Sequence, residues 1–252
     1  MATALITGAS AGLGKEFAWQ LATAGHNLVV TARSEDRLGS LADVVASATG
    51  VRVEVLVADL ADAAGREAVA HRLADDERPV SLLVNNAGFG IGAPFHRSSW
   101  EQEAAAHDVL VTAPLRLTHA VLPGMVRRGH GAVLNVSSVA AHLGNSTYAA
   151  HKRWVMEFTE AIAGQLRGTG VTATAVLPGL TRTEFHDAPA LEHMKTDYPE
   201  IAWLSAEQVV SSALSAVRRG AVTVTPSARY VAAGTLAMLA PRAVTRHLGR
   251  GL

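Results

Sequence analysis

The chain contains no cysteine, and only three of its 252 residues are tyrosine. Lysine is as scarce: of the 22 basic residues three are lysine, which leaves 22 − 3 = 19 arginines. Without cysteine there is no disulfide framework, no thiolate metal site and no thiol nucleophile, so the composition suits a reducing compartment and the expected location is cytoplasmic. Long apolar runs are also missing. The apolar stretch nearest the C-terminus, YVAAGTLAMLA (230–240), falls far short of the roughly 20 residues that span a bilayer, and no transmembrane segment is expected. The opening MATALITGAS reads as a strand from residue 2, without the basic region, apolar core and cleavage site of a secretory signal. Neither sign of charge prevails: 22 acidic residues balance 22 basic ones, with a pI near 7.2. That balance supplies no cationic field for nucleic acid or an anionic membrane, and a small, roughly neutral molecule is the better partner.

What is present is a chain of 26.3 kDa, 49% hydrophobic and 17% charged, able to bury a full core as one domain over 1–252. Seven apolar runs read as strands: 3–7, 27–32, 51–58, 81–85, 131–137, 171–177 and 221–225. Helix-length segments separate them. The runs are continuous in Val, Leu and Ile rather than alternating, which marks strands covered on both faces. The pattern predicts an α/β fold, a doubly wound parallel seven-stranded sheet with helices on both sides. No internal repeat or linker divides the chain. The least regular part, 181–204, mixes Phe185, Leu191, Met194, Tyr198 and Trp203 with charges and reads as a lid over a substrate pocket, and 226–252 as a C-terminal extension.

The first strand leads into TGASAGLG, with glycine at 8, 12 and 14, and then into a helix. Such a turn lets backbone approach a pyrophosphate and aims a helix N-terminus at its charge. Farther on, STYAAHK places Tyr148 and Lys152 four residues apart, on one face of a helix. A free tyrosine with a pKa near 10 is a poor base at neutral pH, and a neighbouring ammonium favours its phenolate. A compact amine with rotatable donors serves there better than a planar guanidinium, which explains a lysine in a chain that otherwise uses arginine.

Gly8-x-x-x-Gly12-x-Gly14, NNAG at 85–88, Ser138, Tyr148-x-x-x-Lys152 and PG at 178 and 179 together resemble the short-chain dehydrogenases/reductases over nearly the whole chain. The resemblance implies a Rossmann dinucleotide site and an oxidoreductase that interconverts a ketone or aldehyde and an alcohol. It makes Tyr148 the acid/base, Lys152 its cationic neighbour and a grip on the nicotinamide ribose, and Ser138 a hydrogen-bonding partner of the substrate oxygen. Ser137 is the rival for that last role, because adjacent strand positions face opposite ways. Gly8, Ser10, Gly12, Leu13 and Gly14 become the phosphate turn, Asp59 and Leu60 the adenine contacts, and Asn86, Ala87 and Gly88 a turn beside the cofactor. Pro178, Gly179, Thr181 and Thr183 then flank the nicotinamide. Asn86 reads equally as a turn former with no ligand. VAAHLGNST (139–147), between Ser138 and Tyr148, is shorter than in most members and implies a wide pocket mouth.

Arg33 closes the second strand where a carboxylate would select NAD, so NADP(H) is the expected cofactor. Glu35 and Asp36 follow Ser34 and read as the first turn of a helix. No metal is expected, since the histidines lack ligand spacing on a helix. Leu110 stands where the family usually has an asparagine whose helical carbonyl holds a water linking the lysine to solvent. Pro114, four residues on, has no N–H to offer that carbonyl, so a kinked helix with a free Leu110 carbonyl is expected to keep the relay. The resemblance implies a homodimer or homotetramer, and the 230–250 region reads as a protein contact or a lipid-surface anchor. The alternative to an active reductase is an impaired dinucleotide-binding protein acting as a sensor or scaffold.

Overall fold

A computed structural model describes residues 2–184 and 198–232. Strands β1 (Thr3–Thr7), β2 (Asn27–Ala32), β3 (Val53–Val57), β4 (Leu82–Asn85), β5 (Gly131–Val136), β6 (Val171–Val176) and a last strand, Thr223–Val224, form one parallel sheet. From one edge to the other the order is β3, β2, β1, β4, β5, β6 and Thr223–Val224. The order reverses between β1 and β4, and it is there that ligands bind in doubly wound sheets.

Successive residues of a strand serve opposite faces, which explains the unbroken apolar runs. In β1, Ile6 joins a core with Phe17 and Leu21 of α1 (Gly12–Thr23), Leu38 and Val45 of α2 (Glu35–Thr49), and Val209 and Ala213 of the helix Ala206–Arg218. Its neighbour Leu5 faces the other core, with Val69 of α3 (Ala63–Leu73), Leu117 and Met125 of α5 (Ala113–Arg128) and Ile162 of α6 (Thr147–Gln165). Ser34 caps α2 by accepting from Arg37 N–H, and Glu35 and Asp36 fill its first turn, as the sequence predicts. The last strand is shorter than the expected 221–225 and pairs only through Ala175 and Val176.

Helix α4 (Trp100–His107) continues into α5 through a wide turn, Asp108–Thr112, where Ala113 N–H reaches the Asp108 carbonyl five residues back. The break expected from Pro114 therefore takes the form of a π turn. The whole helical run Trp100–Arg128 is long and apolar enough to cross a membrane, yet half of that apolar window is buried in this fold. At the two ends of the expected lid, β7 (Thr181–Arg182) pairs in parallel with β8 (Leu204–Ser205). Phe185, Leu191 and Met194 of the expected lid, and 233–252 of the C-terminal extension, lie outside the described residues.

Candidate active site

The site is built outward from the turn between β1 and α1. Gly8 and Gly12 take positive φ, 66° and 51°. Around them Thr7 and Asn86 act as braces. Thr7 Oγ1 accepts from the N–H groups of Asn86 and Ala87 at 2.9 and 3.0 Å, and Asn86 Nδ2 donates to the carbonyls of Thr7 and Gly8 at 2.9 and 3.2 Å. Of the two readings of Asn86, its amide group thus serves the turn. Asn85 faces inward, with Nδ2 donating to Asn135 at 2.8 Å and Thr118 at 3.2 Å, and ties β4 to β5 and α5.

This turn opens onto a cavity of about 1670 Å³. Gly8, Ser10, Gly12 and Leu13 line it, with Arg33 at the end of β2 and Asp59 and Leu60 after β3. Asn86, Ala87 and Gly88 follow β4, and Ser138, Tyr148, Lys152, Pro178, Gly179, Thr181 and Thr183 complete the set. Gly14 and Leu110 stand behind the wall: Gly14 is pressed against the Gly8 carbonyl, and Leu110, 1% exposed, packs behind Gly88. All three tyrosines of the chain, Tyr148, Tyr198 and Tyr230, border this one space. Arg37, in the first turn of α2, also lines it and is not singled out by the sequence reading. Glu35 and Asp36 form no part of the lining.

On the opposite wall Ser146 caps α6 by accepting from Ala149 N–H at 3.2 Å and fixes the helix that carries Tyr148 and Lys152. The Tyr148 and Ser138 hydroxyls are hydrogen-bonded to each other. Lys152 Nζ lies 5.6 Å from the Tyr148 ring centre and donates to the Val136 carbonyl at 2.7 Å. Ser137 acts elsewhere, its buried hydroxyl donating to the Lys152 backbone carbonyl at 2.6 Å. Ser138, past the end of β5, also accepts from Ala140 N–H at 3.1 Å, which holds its oxygen toward Tyr148. Burial pushes the Tyr148 phenol up to about 12, against the Ser138 hydrogen bond that lowers it. Burial also holds the Lys152 ammonium down to about 8. Leu110 contributes to that dryness, since its Cδ2 and Lys152 Nζ approach the same face of Gly88, 2.8 and 3.5 Å from where a Cβ would sit.

One carboxylate reaches the glycine turn. Glu184 Oε2 accepts from Gly12 N–H at 2.8 Å, so the N-terminus of α1 takes an anionic oxygen. Nothing in the local sequence around Glu184 announces a contact 172 residues away.

Fold and site together define a dinucleotide-binding α/β protein in which Tyr148, Ser138 and Lys152 share one cavity with the glycine turn. The chain belongs to the short-chain dehydrogenases, a family of oxidoreductases: the family's sequence profile, "short chain dehydrogenase", matches residues 2–192. It is 37% identical over 186 residues to sulfoacetaldehyde reductase 2 of Chromohalobacter salexigens, an alignment covering 72% of this chain and 73% of that one. A short-chain dehydrogenase from Sphingobium yanoikuyae, solved in complex with NADPH, superposes with a TM-score of 0.85 at 34% identity, over 94% of this chain and 93% of its own. The bulky-bulky ketone specific alcohol dehydrogenase from Comamonas testosteroni superposes with a TM-score of 0.81 at 30% identity, covering 94% and 92%.

Proposed function

We propose that this protein is an NADP(H)-dependent reductase of ketones or aldehydes, with Tyr148 as the acid/base. The observation that carries the reading is the hydrogen-bonded Tyr148–Ser138 pair, with Lys152 beside the phenol, in the same cavity as the glycine turn. The cavity suits the dinucleotide. The α1 N-terminus already holds a carboxylate oxygen, and Arg33 and Arg37 offer two cations at the end of β2, where a 2'-phosphate needs them and where NAD sites carry an acid. When bound, the cofactor supplies the hydride.

The chain supplies the proton and the placement. Ser138 Oγ orients the carbonyl oxygen, Tyr148 gives it a proton, and the Lys152 charge stabilises the phenolate left behind. Beyond them the lining includes Ile91, Phe95, Leu143 and Ile201, with His142, Asn145 and Tyr198 as polar neighbours; the four apolar side chains favour an apolar carbonyl compound, and the comparison with a bulky-ketone alcohol dehydrogenase supports that choice. Leu110 removes neither hydroxyl nor amine, so turnover is favoured over a binding-only role. The test is NADPH absorbance across a panel of apolar ketones and aldehydes. Failure to oxidise NADPH with any of them, while NADPH binds, would leave the sensor reading.

Two consequences arise here. Reduction needs the Tyr148 proton, held until about pH 12, and the Lys152 charge, lost as pH rises through about 8. The kcat/KM for reduction is therefore level below that pH and falls above it. Leu110→Asn brings an amide toward the ammonium, stabilises its charged form and moves the fall upward by about one pH unit. An unmoved inflection would separate Leu110 from the lysine. At the other end of the cavity, Arg33→Asp places a carboxylate against the 2'-phosphate. The ratio of NADPH to NADH affinity, measured by fluorescence titration, falls about 10²-fold, the scale of two to three kcal/mol for a charge-assisted contact. A wild-type protein with equal affinity for both cofactors would refute the Arg33 role.

A further inference from the structure

Three consecutive residues at the end of β5 are fastened to α6 by buried hydrogen bonds. Asn135 Nδ2 donates to Thr159 Oγ1 at 2.9 Å, and that hydroxyl donates in turn to the Val155 carbonyl at 2.6 Å. The Val136 carbonyl accepts from Lys152 Nζ at 2.7 Å, and Ser137 Oγ donates to the Lys152 carbonyl at 2.6 Å. Lys152 is thus held at both ends, its amine by one residue and its backbone by the next. Ser137 is a firm anchor, 2% exposed, with its N–H donating to the Val176 carbonyl of β6 at 2.8 Å.

The reacting groups come from the same two elements. Tyr148 and Lys152 stand on α6, Ser138 directly follows Ser137, and the Tyr148–Ser138 hydrogen bond crosses the gap between them. Apolar packing is non-directional and leaves a helix free to slide on the sheet, so its register needs directional contacts. The Lys152 carbonyl lies within a helix and has a second lone pair for Ser137. The Ser137 bond is therefore not needed to make the helix; what it fixes is where the helix sits.

We propose that Ser137 is a positioning residue that latches α6 to the end of β5 at Lys152, and so sets how the Tyr148 hydroxyl and the Lys152 amine meet Ser138. The two adjacent serines divide the work, one bonded to the reacting phenol and the other to the helix that carries it. The kinetic consequence rests on the reductase reading, and the latch on geometry alone.

The experiment uses the full chain with Ser137→Ala, which deletes the donor while the Lys152 carbonyl keeps its helical partner. With isotope-labelled lysine, NMR follows three side chains through a pH titration, and Lys152 is the one missing from Lys152→Arg. Its titratable neighbours are Tyr148 and His151 on α6, with Glu103 and His107 of α4 beyond His151, and all of them stay. In Ser137→Ala the amine titrates about half a pH unit lower than in the wild type, because its charged form loses part of the bond to the Val136 carbonyl. With NADPH and an apolar ketone, kcat falls about tenfold and KM changes less than about threefold, as misplaced reacting groups require. Thr174→Val is the control. It deletes a buried hydroxyl that donates to the Ala221 carbonyl at 2.7 Å, one strand position from Ala173 and so on the sheet face away from α6. It lowers the melting temperature as Ser137→Ala does and leaves the titration and kcat alone. An unmoved or raised Lys152 titration in Ser137→Ala overturns the proposal. So does an equal change in Thr174→Val, which would make the effect one of general loosening. If the wild-type protein reduces no carbonyl, the functional reading fails and the lysine titration alone decides the latch.

Discussion

Tyr148→Phe is expected to bind NADPH as the unmodified protein does and to reduce carbonyl compounds about 10²- to 10⁴-fold more slowly, the scale of a lost general acid. The two halves of that result have separate causes. The ring of Tyr148 packs with the small cluster of Ala106, Leu110 and Val111 behind the cavity wall, and phenylalanine keeps every carbon of it. Only the hydroxyl goes, and with it the hydrogen bond to Ser138 and the proton for the substrate oxygen. Folding suffers little, since the ring stays in its place and the cost is that of one side-chain hydrogen bond, about 1 kcal/mol. Lys152 remains hydrogen-bonded to the Val136 carbonyl, so the cofactor side of the site is unaltered. Ser138→Ala should cost less, because it removes an orienting contact and leaves the proton donor. NADPH fluorescence titration and single-turnover absorbance separate binding from chemistry, and full turnover in Tyr148→Phe would refute the mechanism.

How much of this was legible beforehand depends on how local the cause is. The sheet was readable because strands covered on both faces must be apolar at every position, and Leu5 and Ile6 show it by entering different cores. Tyr148 and Lys152 were readable because four residues make one helical turn. The difference between Ser137 and Ser138 was not, because strand alternation says only that they face opposite ways; that the Ser137 hydroxyl is taken up by the Lys152 carbonyl depends on how two elements meet. Pro114 announced a break in its helix, but the form of the break, a turn of i→i+5 bonding, depends on how Asp108–Thr112 and α4 pack against α6. Asn86 could be a turn former or a ligand by residue type alone, and the answer lies in the carbonyls of Thr7 and Gly8, almost 80 residues away. Glu184 is the extreme case, since its partner is set by the closed fold.

The other large effect is expected at Gly14, a residue that does not line the cavity. Gly14 lies in the first turn of α1 with an ordinary backbone conformation, so its need for glycine is one of space. A Cβ there would lie 2.0 Å from the Gly8 carbonyl oxygen and 2.6 Å from Asn86 Nδ2, the two groups that hold the turn closed. Neither can yield: the oxygen is backbone, and the amide is already bonded to two carbonyls. Gly14→Val must therefore push α1 off the end of β1 and part the turn from Asn86. Overpacking of this kind costs about 1–3 kcal/mol, which lowers Tm by roughly 3–10 °C in a domain of this size. The loss of affinity is the greater effect, because the N–H groups of the turn reach a phosphate only while Gly8 and Gly12 keep their places. A shift of about 1 Å at such a site is worth about 10²-fold. Gly25→Ala is the control: its position has positive φ but open space around it, so it strains the backbone without moving α1. NADPH titration beside a thermal melt gives both numbers, and a Gly14→Val protein that binds NADPH normally would show that the glycine turn is not the phosphate seat.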